Sequence, residues 1–286
     1  MSFDFQALRP EDSLWAAPIL YGSGRDCCEY SFTTAYMWSE YYDVRIARVG
    51  DVVVLGSEHS YLPPVGDGWE DVLCQLYKES PHPLRLHSVD ESRLARLKAL
   101  FPGRVHAEET PDDFDYLYRT EDLATLPGKA YHSKKNHISA FTRAHAWTYE
   151  PLSAENAADM ASLSQTWCEE KGGCVNSLSN EQCAIQRVLR DPERFSLSGG
   201  LVRVEGEPVA FTLGSPINDR VFDVHVEKAL SAFSGAYAVI NREFAKTLTA
   251  YEYLNRENDM GIPGLRRAKE SYRPAILLKK YFVTIQ

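Results

Sequence analysis

The chain has 286 residues, with 31 Lys and Arg against 40 Asp and Glu and a formal net charge of -9. Hydrophobic residues make up 44% and charged residues 25%, the balance of a globular protein with a buried core, which excludes a disordered chain. The negative charge excludes general adhesion to nucleic acid or anionic membrane, so any anionic partner must meet a local basic patch.

A single core rarely grows beyond about 250 residues, so two modest domains are expected. No run approaches the ~20 apolar residues that cross a bilayer, and the first residues lack a basic segment followed by an apolar one; a cytoplasmic protein without an integral membrane segment is expected. The six cysteines, Cys27, Cys28, Cys74, Cys168, Cys174 and Cys183, include no pair at the two-residue spacing of a zinc knuckle or redox motif. They read as reduced thiols, mostly buried filler.

In chain order, Leu8 to Tyr42 reads as helical pieces interrupted at Gly22, Ser23 and Gly24. Val44 to Val49 and Val52 to Leu55 form a hairpin turned by Gly50-Asp51. A Pro- and Gly-rich loop, Tyr61 to Gly68, precedes a helix from Trp69 to Glu79, a strand from Leu84 to Ser88 and a helix from Glu91 to Leu100. From Gly128 to Tyr149 there is no acid, but Lys129, Lys134, Lys135, Arg143 and three histidines. This basic island is taken as the junction, giving domains 1–127 and 128–286.

The second half opens with a helix from about Ala154 to Glu170, stopped by Gly172-Gly173, and a second helix through Leu189 that Asn180 can cap. A hairpin follows (Gly200 to Val204, Val209 to Leu213), then a strand from Val221 to Glu227. A helix starts at Ser234-Gly235, Tyr251 to Asn255 is a short strand, and Ile276 to Ile285 a closing one. RVGDVVVLGS at Arg48 to Ser57 echoes RVEGEPVAFTLGSP at Arg203 to Pro216, and the element order repeats, which points to duplication.

Three constellations can carry chemistry. Ser234, Gly235 and Ala236 open a helix whose free N–H groups suit a phosphate or a developing oxyanion; an ordinary N-cap is the plainer reading. Asp223, His225 and Glu227 share one strand face, either the wet side of a half-buried sheet or the wall of a cleft with a proton acceptor. His132, His137 and His145 lack metal-ligand spacing, and no metal is expected. Last, LNRENDMGIPGLRRAKESYRP (Leu254 to Pro274) places Asn255, Arg256, Glu257 and Asp259 before a Pro-started helix. There Arg266, Lys269 and Arg273 fall at i, i+3 and i+7, a basic stripe. With Lys134, Lys135 and Arg143 as a second basic group, it can hold one anionic ligand between them.

LPGKAYHSKKNHISAF (Leu126 to Phe141), HVEKA (His225 to Ala229), SGAYAVINREFA (Ser234 to Ala245) and the Leu254 to Pro274 stretch together resemble the C-terminal domain of bacterial phosphatidylglycerol lysyltransferases and the soluble proteins grouped with it. The resemblance implies an α+β tandem GNAT fold, two acyltransferase-like halves, as in the Fem peptidyltransferases. Membrane-bound members use aminoacyl-tRNA as donor and a lipid as acceptor; GNAT enzymes at large use acyl-CoA. The turn that takes the coenzyme A pyrophosphate has the pattern Arg/Gln-x-x-Gly-x-Gly/Ala. Here Ser231-Ala232-Phe233-Ser234-Gly235-Ala236 keeps only the final small residue.

The expected function is therefore acyl transfer from aminoacyl-tRNA or acyl-CoA, bound as co-substrate without a resident cofactor, to an amine or hydroxyl of a small-molecule, lipid or peptide acceptor. Glu257 or His225 would take the proton and Tyr272 would protonate the leaving group. Ser234, Gly235, Ala236, Lys134, Lys135, Asn136, Arg266 and Lys269 would bind the donor, possible tRNA acceptor ends included, and Asn255, Arg256, Glu227 and Asp259 the substrate. The alternative is a non-catalytic GNAT-like module that senses an anionic metabolite.

Overall fold

The computed structural model describes residues 3–172 and 177–286. Its first half runs β1 (Gln6–Ala7), α1 (Ser13–Gly22), α2 (Phe32–Tyr42), β2 (Arg45–Val49), β3 (Val52–Gly56), β4 (Val65–Gly66), α3 (Trp69–Glu79), β5 (Leu84–Val89), α4 (Glu91–Leu100) and β6 (Val105–Glu109). Next come β7 (Asp115–Arg119), α5 (Thr120–Thr125), α6 (His132–Ala144), β8 (Trp147–Pro151), α7 (Ala157–Glu170), α8 (Ser177–Leu189), β9 (Ser198–Val204), β10 (Glu207–Pro216) and β11 (Val221–Ala229). The chain then forms α9 (Ala236–Thr247), β12 (Tyr253–Asn255), α10 (Pro263–Glu270), β13 (Ile276–Leu278) and β14 (Tyr281–Ile285).

Helices α3 and α4 have the bounds their apolar spacing predicts. Asn180 lies inside the first turn of α8, which begins at Ser177, so it does not cap that helix; Gly173 and Cys174 lie outside the described residues. The expected closing strand is two strands, β13 and β14, parted at Lys279-Lys280.

Seven strands in the order β13-β7-β12-β11-β10-β9-β8 make the larger sheet. The other sheet comprises β1-β2-β3-β4 and β5-β14-β6, bridged where Tyr61 pairs with Gly56 on one side and Leu86 on the other. The orders β5-β14-β6 and β12-β7-β13 are equivalent, with their middle strands exchanged. The chain leaves β6 to put β7 into the second sheet, and leaves β13 to put β14 into the first. The expected boundary at 127/128 therefore does not separate the sheets, because residues 115–119 and 281–285 each pair with strands of the other half.

Lys280, just before β14, and Asp115, the first residue of β7, meet between the halves: the Lys280 Nζ donates to Asp115 Oδ1 at 2.8 Å and to Glu29 Oε2 at 2.7 Å. Both Lys280 and Asp115 are fully buried. Burial alone would raise the Glu29 carboxyl, but Lys280 outweighs it and holds it at about 2. One apolar core joins Leu20, Phe32 and Tyr36 of the first half to Ile185, Phe211 and Val226 of the second. A second core packs α5, α6 and α9 on the other face of the seven-stranded sheet, and a third fills the first half behind α3 and α4.

Candidate active site

Strands β11 and β12 are parallel and pair only over Val221↔Tyr253, Phe222↔Leu254 and Asp223↔Asn255. Beyond Asp223 strand β11 continues to Ala229 while the other chain turns away through Glu257, whose φ of 55° is left-handed. On its other side β11 meets β10 with a register break: Leu213 faces Val226 and Gly214 faces Val224, so His225 has no partner opposite. Such a bulge re-aims a side chain. Gly214 is required there, since a Cβ would lie 2.1 Å from the Asp223 carbonyl oxygen.

The His225 imidazole, its side chain 1% exposed, lies at the centre of the cluster that results. Its Nδ1 is 3.4 Å from Asp223 Oδ2 and 3.3 Å from Glu257 Oε1, and its Nε2 is 2.8 Å from Ser215 Oγ. Thr34 of α2 donates to Asp223 Oδ2 at 3.2 Å, so the first half closes this face. The Asp223 and His225 side of the strand is thus buried, which overturns the wet-face reading. Burial would push His225 down, but Asp223 and Glu257 together outweigh it and raise it to about 9. Glu257 is raised to about 7, first by desolvation and then by Asp223, with His225 pulling it down. Its side chain keeps 21% exposure and is reachable from outside.

Next along β11, Glu227 accepts from Arg256 Nη2 at 2.9 Å and from Asn241 Nδ2 of α9 at 3.0 Å. The Arg256 guanidinium is 4.9 Å from the centre of the Tyr272 ring, on which the Lys134 Nζ also rests at 3.9 Å. Burial, and after it Glu227, pushes the Tyr272 hydroxyl above its ordinary value. Asp223 Oδ1, Asn241 Oδ1 and Arg256 Nη1 are buried with no hydrogen-bond partner among the described residues. Orphaned buried atoms are costly, and those of Asn241 and Arg256, which share Glu227, mark where a polar ligand can pair.

Other expected site residues serve the scaffold. Asn255 is fully buried and donates to Asp115 Oδ2 and to the Asp26 carbonyl. Asp259, also buried, accepts from Tyr116 and Arg266 and from the Gly261 N–H. The basic stripe does not form: Arg266 pairs with Asp259 and Asp112, and Lys269, 7% exposed, donates to the carbonyls of Arg256 and Glu257. Burial, and then Arg256, lowers Lys269 to about 8. The i, i+3 spacing is present, but both cations are engaged by groups of this chain, and Arg273 lies beyond the end of α10.

At Ser234-Gly235-Ala236 the turn is present and Gly235, with φ of 96°, precedes α9. A Cβ there would lie 2.6 Å from the His137 carbonyl oxygen, so α6 packs directly on the turn. At its start, both N–H and O–H of Ser231 donate to Glu170 Oε2, at 3.0 and 2.9 Å. A carboxylate thus occupies the first donors of the stretch aligned with the pyrophosphate turn. On α6, Lys134 points to Ser271 and the Tyr272 ring, while Lys135 and Asn136 are exposed.

Sequence reasoning missed Thr34, Ser215, Asn241, Asp115 and Lys280. Two of them left a trace, a charge within an apolar run: Asp115 in FDYLY and Lys280 in ILLKKYFV. Among the described residues, ligand-type atoms also come within 4.8 Å of one another in two groups, Cys27 with Glu29 and Asp115, and Asp223 with His225 and Glu257. The Lys280 ammonium already answers the carboxylates of the first. In the second, the His225 Nδ1 lies 3.4 Å from Asp223 and 3.3 Å from Glu257, between two carboxylates.

Two halves with equivalent strand orders, each with a parallel pairing beside a hairpin, define a tandem GNAT fold. Residues 23–284 match the family model "Phosphatidylglycerol lysyltransferase, C-terminal", and the chain belongs to that family. A conserved protein of unknown function from Bacteroides thetaiotaomicron VPI-5482 superposes with a TM-score of 0.93 at 35% identity, over 100% of both chains. The C-terminal domain of a putative lysylphosphatidylglycerol synthetase from Agrobacterium fabrum superposes at 0.68 with 14% identity, covering 96% of this chain and 91% of that one. An uncharacterised protein of Mycoplasmoides gallisepticum is 23% identical over 188 residues, 63% of this chain and 58% of that relative, so the match spans little more than half its length. Among the described residues no helix is long and apolar enough to cross a membrane.

Proposed function

We propose that this chain is an aminoacyltransferase that moves an aminoacyl group from the ester of an aminoacyl-tRNA to an amine or hydroxyl. The observation that carries this is the reachable Glu257 carboxyl, raised to about 7, held 3.3 Å from His225 where β11 and β12 part. A carboxyl that titrates near neutrality is suited to take a proton from an attacking nucleophile. His225, held protonated to about 9, is then the cation that keeps Glu257 ionised, not the base.

Membership in a family described as lysyltransferases supports an aminoacyl donor, as does Glu170 on the Ser231 donors, where an incoming pyrophosphate would meet like charge. Tyr272 fits the same donor. A thiolate leaves readily unprotonated, whereas a ribose alkoxide is far more basic and needs a proton that a high-pKa phenol can still supply. Arg256 Nη1 would donate to the ester oxygen and Asn241 Oδ1 would accept from the aminoacyl nitrogen.

Acyl-CoA as donor is the second reading, favoured by the retained turn at Gly235. The test offers the chain label-bearing aminoacyl-tRNA or labelled acetyl-CoA, each with a tRNA-free extract of small molecules and lipids. Label leaving tRNA into a base-stable product is expected. Transfer from acetyl-CoA with tRNA inert would sink the aminoacyl reading, and ligand-induced melting shifts without any turnover would favour a sensing module.

A further inference from the structure

The acid-free segment around α6 is not used up by the site. Lys134 turns inward to Tyr272, but Lys135, Ser139, Thr142 and Arg143 are exposed at i, i+4, i+7 and i+8 and so share one face. That face leads into a depression between α6, α9 and the start of β8, lined by Ser139, Thr142, Arg143, Trp147 and Arg242. Arg143 has no ion-pair partner among the described residues; Arg242 shares Glu243 with Lys246, so one carboxylate faces two cations. In a chain of net charge -9 this is a local surplus of positive charge. At about 1.5 Å per residue the helix carries it roughly 14 Å from Lys134, beside the site, to Arg143.

We propose that this outer face of α6, with the Arg143–Arg242–Trp147 depression, docks the double-helical stem of the donor RNA by its phosphates. The proposal rests on the aminoacyl-tRNA reading above. A duplex stem offers a regular row of phosphates and little readable sequence, which matches two arginines, hydroxyls and no buried polar reader. The reacting end of the same RNA would pass Lys134 into the cleft at Arg256 and Glu257, so the α6 face supplies affinity and the cleft supplies chemistry.

The test measures binding of deacylated tRNA and of an RNA hairpin of acceptor-stem length across a salt series, for the native chain and for Arg143→Ala/Arg242→Ala. Arg143 is exposed and Arg242 half-buried, and equal melting temperatures verify the fold. The double variant should lower affinity roughly tenfold and reduce the salt slope by about two, one per lost phosphate contact. Turnover of an aminoacyl ester of adenosine, which has the reacting bond and no stem, should stay unchanged while turnover of aminoacyl-tRNA falls.

Unchanged RNA affinity and slope in the double variant would overturn the proposal. So would an equal loss of binding to anionic vesicles, which would make the face a general polyanion patch. If neither donor is turned over, the aminoacyl-transfer reading fails by itself, because RNA binding is measured without turnover.

Discussion

Glu257 and His225 stand 3.3 Å apart, and their titrations set testable limits on the reaction. Activity should rise as pH passes about 7, where Glu257 ionises, and fall above about 9, where His225 loses the charge that sustains it. Glu257→Gln should cut kcat by about 10²–10⁴-fold and remove the rising limb. His225→Asn should move that limb upward, because the imidazolium lowers the Glu257 pKa; a limb that stays in place would refute the positioning role.

Stability carries the same signature with a definite sign. The folded-state pKa of Glu257 lies above the ordinary 4.5, so its contribution is complete below 4.5 and is lost as pH rises through about 7. The melting temperature of the native chain should therefore fall relative to that of Glu257→Gln across this window. These two residues were legible in the sequence as charged positions in a strand and a strand-end motif. Their burial was not, because alternation along β11 cannot say that Thr34, nearly two hundred positions earlier, covers the polar face.

At the scale of elements, local patterns were legible and packing partners were not. Apolar spacing gives α3 its bounds, and Gly50-Asp51 gives the β2–β3 hairpin its turn. In α10 the spacing of Arg266 and Lys269 was read correctly and their partners were not, since helical periodicity names a face without saying what it meets. The contact of α6 on the turn before α9 had one sequence trace, Gly235. Gly235→Ala would bring a Cβ to 2.6 Å from the His137 carbonyl at a positive φ, and should cost roughly 1–3 kcal/mol, read as a lower denaturation midpoint.

Across the whole molecule, the repeat suggested two copies, and the exchange of β7 and β14 interleaves them. Short strands carry no record of a distant partner, so sequence placed the boundary at a change of composition instead. With strands shared and one apolar core spanning both halves, residues 1–127 expressed alone should fail to give a cooperative unfolding transition, whereas the full chain should give one. Lys280→Met would leave Asp115 buried without its cation and should destabilise the chain by about 3–5 kcal/mol in denaturant.

The middle position of β14 also orders events in time during synthesis. Strands β5 and β6 are made early, yet each has its other edge waiting for residues 281–285. At about 5–20 residues per second, residues 110 to 280 take on the order of ten to thirty seconds to emerge. Throughout that interval the nascent first half holds a gap one strand wide between two exposed edges. A nascent chain of this topology should engage holdase chaperones until β14 is translated, and release from them should follow the appearance of that strand.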